Sequence, residues 1–157
     1  MRKGLYVIAA LGAAALLALT GCENLARTFS ATLNGSNSVP SNSSIATGDA
    51  QFNVDLSNTK MEYTVNVANL ADINTARLHY APANQVGDAI AVLYGGPRKA
   101  GSFSGQLTEG TLLTADLIGP MAGKSIKALV SAVRAGSTYV NIATDSFPNG
   151  EIRGQLR

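Results

Sequence analysis

Few residues of this chain could do covalent or acid–base chemistry, and the two most reactive types occur once each. Cys22 is the only cysteine and His79 the only histidine of 157 residues. A lone thiol can be alkylated, but it cannot close an internal disulfide or build a thiolate cluster. A lone imidazole can hydrogen-bond or carry a proton, whereas zinc and copper sites draw on several nitrogen or sulfur ligands. His79 is therefore expected to be a hydrogen-bonded histidine at a strand end, with metal ligation as the competing reading. Glu151 and Arg153 stand two apart in a strand-like run, so both side chains are expected on one face. Such a pair could face a ligand. The preferred reading is a structural ion pair or a packed surface cluster that Arg77 would join. Asn141, between Val140 and Ile142, is expected to hydrogen-bond a neighbouring loop.

No catalytic residue, metal site or cofactor is expected. Serine, histidine and aspartate all occur, but no strand–turn–helix serine motif holds a nucleophile. Gly95-Gly96-Pro97-Arg98-Lys99 lacks the spacing of a phosphate-binding loop and reads as a solvated turn. No acidic run has the spacing of a calcium loop.

The setting of Cys22 gives that thiol its chemistry. Arg2 and Lys3 precede an apolar run from Gly4 to Leu19, and the small residues Thr20 and Gly21 follow. This order is that of a secretory signal peptide. The run of 16 residues is short of the roughly 20 that span a bilayer. Leu19-Thr20-Gly21-Cys22 resembles the lipobox of bacterial lipoproteins. The resemblance implies cleavage after Gly21, lipid on the Cys22 sulfur and attachment to a membrane. Each buried methylene contributes about 0.8 kcal/mol, and two or more chains anchor stably where one does not. Glu23 stands where an aspartate favours retention at the inner membrane of Gram-negative cells. The implied location therefore faces the periplasm or the cell exterior, on the outer membrane if there is one.

Three segments follow: a signal peptide at 1–21, a lipidated tether at 22–28 and one domain at 29–157. Removal of residues 1–21 leaves 136 residues, enough for a real core. It also removes Arg2 and Lys3, so 10 basic side chains then balance 10 acidic ones. A net charge of zero argues against nucleic acid as a partner, because phosphate binding needs a cationic face. With Cys22 lipidated, the domain must be stable without disulfides.

The elements that would position these residues are mostly strands. Phe29–Asn34 alternates, and Gly35–Gly48 is a Ser/Asn/Gly/Pro loop. Ala50–Leu56 and Met61–Val67 alternate on either side of the polar turn Ser57–Lys60, which predicts a hairpin. Thr75–Tyr80, Ala89–Tyr94, Ser102–Thr108, Tyr139–Thr144 and Glu151–Leu156 are further strands, the last two joined through Pro148-Asn149-Gly150. Ser125–Ala135 breaks the rhythm. Ile126, Leu129, Val130 and Val133 share a helical stripe, Ser125 can cap its start and Gly136 can end it. One short helix is predicted, covering an open end or edge of a sheet.

Four blocks of the sequence resemble the CHRD domain, named for chordin. The ending Tyr139-Val140-Asn141-Ile142-Ala143-Thr144, then Pro148-Asn149-Gly150-Glu151-Ile152-Arg153-Gly154-Gln155-Leu156, is similar to that domain's carboxyl-terminal motif. Leu33-Asn34-Gly35 with Val39-Pro40, Ala46-Thr47-Gly48 with Ala50 and Phe52, and Thr75-Ala76-Arg77-Leu78-His79 match earlier blocks. The resemblance implies an immunoglobulin-like antiparallel β-sandwich of Greek-key topology, distantly similar to copper-zinc superoxide dismutase, and no established catalysis. In chordin these domains belong to a protein that binds signalling factors. Three positions depart from the pattern. Ser38 stands where a glutamate precedes Val-Pro, Arg77 replaces a histidine, and Ala143 replaces another. One of three family histidines remains, His79. The expected function is thus a non-enzymatic binding or structural module of the cell envelope, touching the membrane through Cys22 and an envelope or extracellular protein through its folds. A metal-dependent redox protein and a small-ligand binder are the alternatives.

Overall fold

The computed structural model describes residues 27–157. The expected signal peptide and most of the tether, Cys22 included, lie outside the described residues. The domain is mainly β with one helix. Its strands are β1 (Thr28–Asn34), β2 (Thr47–Val54), β3 (Met61–Tyr80), β4 (Ala89–Tyr94), β5 (Lys99–Leu112), β6 (Thr138–Thr144) and β7 (Ile152–Gln155), with α1 (Ile126–Arg134) before β6. All pairings are antiparallel. The order β2-β1-β7-β6-β3 closes on itself because β2 also pairs β3, so five strands make a barrel, with β4 and β5 added along β3.

The predicted hairpin forms, with Val54 opposite Met61. Its turn is held by the Asp55 carboxylate, which accepts from the Thr59 and Lys60 amides. Leu56, which alternation puts on one face with Ala50, Phe52 and Val54, is 82% exposed while those three are buried. The strand ends at Val54, so alternation no longer governs Leu56.

The runs 61–67 and 75–80, read as separate strands, are one strand of 20 residues. Its first part pairs β2 and β5 and its second part pairs β4 and β6. Asn69 (φ 56°) and Asp72 (φ 54°) adopt left-handed backbone where the partners change. Asparagine and aspartate tolerate that region better than other side chains. Two extended stretches can therefore run on through a local twist that looks like a turn in the sequence.

The interior is apolar. Phe52, Leu70, Ile73, Leu78, Ile90, Leu129, Val140, Ile142, Ile152 and Leu156 are each buried in it. The helix contributes the expected stripe, Ile126, Leu129, Val130 and Val133, to the same core. Ser125 Oγ accepts from the Ala128 amide as its N-cap, and Gly136 (φ 67°) follows its C-cap. Gly154 is a close-approach position. A side chain there would run into the Thr32 carbonyl of β1, so the β1–β7 seam needs glycine. Among the described residues no helix is long and apolar enough to cross a membrane.

A cationic cavity on the outer face of β3, β6 and β7

The core takes one side of each strand, so the other side carries a second set of residues. Ala76, Leu78, Val140, Ile142 and Ile152 point inward and are fully buried. Thr75, Arg77 and His79 of β3, Tyr139, Asn141 and Ala143 of β6, and Arg153 of β7 take the opposite face by alternation. The register aligns them in rows across the three strands. Arg77 is opposite Asn141, which is opposite Arg153; His79 is opposite Tyr139, which is opposite Gln155. With Val39, Val86, Pro148 and Asn149 at its rim, this face encloses a cavity of about 390 Å³.

Tyr139 is the centre of the arrangement. His79 stacks on its ring at 5.0 Å and 15°. The Arg153 guanidinium lies 3.5 Å from the same ring centroid. The tyrosine hydroxyl accepts from the Gly87 amide at 3.2 Å, and His79 Nδ1 lies 2.9 Å from the Gly87 carbonyl oxygen. A carbonyl only accepts, so Nδ1 carries a proton and Nε2 is the free nitrogen. Burial pushes the His79 pKa down. The Gly87 carbonyl and the Asp88 charge oppose that shift, and the Arg77 and Arg153 charges reinforce it.

Arg153 is the unusual member. It is only 3% exposed, and among the described residues its guanidinium donates through Nη2 alone, at 3.3 Å to the Pro82 carbonyl. Burial lowers its pKa, and the nearby Tyr139 partly offsets this. Among the described residues neither Arg153 nor Arg77 forms an ion pair, and no carboxylate lines the cavity. Arg77 is exposed at the opposite edge of the row. Asn141 reaches the loop expected for it: Nδ2 donates to the Asn149 carbonyl at 3.0 Å. Gly150 (φ 129°) makes room, since a side chain there would overlap the Asn141 amide.

Glu151 does not join this face, and the expected Glu151–Arg153 pairing is absent. The residue lies in a bend before β7 begins at Ile152, so strand alternation does not reach it. Its carboxylate is buried and accepts from Ser44 Oγ and Thr144 Oγ1, both at 2.6 Å. Its carbonyl accepts from Ser38 Oγ and Asn42 Nδ2. Glu151 therefore pins the 38–46 loop to the end of β6. Ser38, which departs from the family pattern, serves the same junction. His79, Arg77, Asn141 and Arg153 come together as a cluster. Tyr139 was not singled out in the sequence, although its place two residues before Asn141 puts it on the same face. Among the described residues no three histidine, cysteine, aspartate or glutamate side chains come together as a metal site would require.

The profile of the CHRD domain family matches residues 29–156, and the chain belongs to that family. No curated protein and no solved structure matches it.

Two outcomes follow from this geometry. Glu151→Ala strands two buried hydroxyl contacts and should lower unfolding free energy by about 1–3 kcal/mol; an unchanged urea midpoint would show that the carboxylate does not hold the loop. The His79 ring signal, the only one in the chain, should titrate below the ordinary value of 6.5. With the folded pKa depressed, the unfolded chain binds the proton more readily. Its contribution to stability is thus present above the unfolded pKa and is lost as pH falls toward the folded one. A ring midpoint at or above 6.5 contradicts the assigned burial.

Proposed function

We propose that the chain is a membrane-anchored, extracytoplasmic lipoprotein whose CHRD domain is a non-enzymatic binding module of the cell envelope. The anchor rests on Arg2 and Lys3, the apolar run and Leu19-Thr20-Gly21-Cys22. The binding role rests on one observation: two arginines, Arg77 and Arg153, share a concave face on which, among the described residues, no carboxylate answers them. Unpaired charge held in a cavity is more useful to a ligand than to the fold. The non-enzymatic reading is supported by the same lining, where, among the described residues, the hydrogen bond of His79 goes to a backbone carbonyl and none links it to a side-chain nucleophile. The immunoglobulin-like sandwich belongs to this proposal too. Supporting it are the wholly antiparallel pairing and a long strand that serves two sets of partners. A redox role like that of superoxide dismutase would need a histidine cluster, and the chain has one histidine.

The test has two parts. In a bacterial host the wild-type chain should sediment with membranes and incorporate an alkyne-labelled fatty acid, and Cys22→Ser should lose both properties. An unlabelled wild type, or a variant still bound to membranes, contradicts the anchor. Isolated envelope material added to the isotope-labelled chain in micelles should shift signals of His79, Tyr139 and Asn141. Shifts confined to other faces contradict the assigned surface.

A further inference from the structure

We infer that the cavity over β6 binds a small oxyanion, the carboxylate or phosphate group of a larger ligand, between the guanidinium groups of Arg77 and Arg153. This deepens the proposed binding role and rests on its choice of surface.

Three observations converge on an anion. The first is register. Arg77 and Arg153 flank Asn141 on the strands either side of it. Their backbones are thus about 10 Å apart, two strand spacings. Two long side chains rooted at that distance can converge on one group of atoms between them. The second is the state of Arg153. A buried charge is ordinarily paired, yet this one has an aromatic ring beneath it and a single carbonyl beside it. Nε and Nη1 donate to nothing among the described residues. Nor are they sealed off, because among the described residues the one buried side-chain polar atom without a partner is Thr138 Oγ1. Those donors therefore open on the cavities that Arg153 lines. Guanidinium recognises planar and tetrahedral oxyanions through paired N–H donors, and such charge-assisted bonds are the strong ones.

The third observation is rigidity. The Tyr139 ring holds Arg153 from below and is itself tied to Gly87. His79 stacks against the tyrosine and bonds the same glycine. Asn141 is committed to Asn149 and forms the floor between the two arginines. The Arg153 side of the receptor is thus built before a ligand arrives, which spares ordering entropy on binding, while the exposed Arg77 is left to close on the ligand. A neighbouring depression of about 420 Å³ is also lined by Arg153, together with Ser30, Thr32 and Arg157. Its second arginine, Arg157, lies outside the Arg77–Asn141–Arg153 row, so the cavity over β6 is the assigned site.

The experiment is a titration of the full chain, isotope-labelled in zwitterionic micelles, with inorganic phosphate and separately with sodium acetate. Sodium chloride at matched ionic strength is the reference. The His79 ring and Arg153 Nε–H signals should shift saturably with at least one oxyanion and not with chloride. Phosphate alone, or acetate alone, would identify which group the natural ligand carries. Arg77→Ala changes an exposed residue and leaves the core alone, so it should fold; it is expected to weaken binding about tenfold, while Arg157→Ala changes it less than twofold. No saturable shift with either anion overturns the inference. So does weakening by Arg157→Ala in place of Arg77→Ala, which would move the site to the other depression. If envelope material shifts this face while neither anion does, the oxyanion class fails and the proposed surface stands; if nothing shifts it, both fail.

Discussion

The double role of β3 is the constraint on which the rest of this domain depends. One strand of 20 residues hydrogen-bonds β2 and β5 along its first part, then β4 and β6 along its second. The change of partners needs backbone that an ordinary strand residue resists, and Asn69 and Asp72 supply it. Polar contacts hold the crossover in place. Asp72 accepts from Arg98 and from the Gly101 amide. Asp145 accepts from Asn74 and Arg98, and the Asn69 amide donates to Ser104 Oγ. Arg98, which looked like part of a solvated turn, is a tie between β3, β5 and the end of β6. Its ion pairs are exposed and contribute modestly one by one, but they share a single guanidinium and fix one geometry.

That crossover places the second part of β3 beside β6, and the face that lines the cavity follows. Because β6 lies between β3 and β7, its outward residues Tyr139 and Asn141 become the middle of two rows. Because the inward residues are fully buried, the face cannot shift by one residue without turning Leu78 and Ile142 out of the core. The core thus specifies, with no contact of its own, which side chains look into the cavity. Glu151 completes the frame by fastening the 38–46 loop at its rim, and Gly154 lets β7 come close enough to β1 to close the barrel.

Much of this was legible in the sequence where periodicity was clean. The 50–67 hairpin, β4, β6 and the helix with its Ser125 cap follow from alternation, helical spacing and turn chemistry. Alternation also predicts that Arg77 and His79 share a face. It failed where its premise failed. Residues 68–74 carry two asparagines and an aspartate, the residue types of a turn, and only tertiary pairing shows that the strand continues. Alternation puts Glu151 on the Arg153 face only if β7 includes it. The strand begins one residue later, and the carboxylate turns to Ser44 and Thr144. The burial of Arg153 was the least accessible feature. It depends on Tyr139 and on the Pro82–Gly87 segment, which nothing local in sequence brings to β7.

The central claim is that Arg153 is retained for a ligand and not for the fold. Thermal unfolding of the full chain and of Arg153→Met, with and without phosphate or acetate, tests it directly. Methionine keeps the apolar stem and removes a buried charge that has no carboxylate partner among the described residues, and such replacements are often neutral or stabilising. The account predicts an anion-free melting temperature equal to or above that of the wild type, and stabilisation by anion in the wild type alone. A variant that melts several degrees lower without anion, or that gains as much from anion as the wild type, would contradict it.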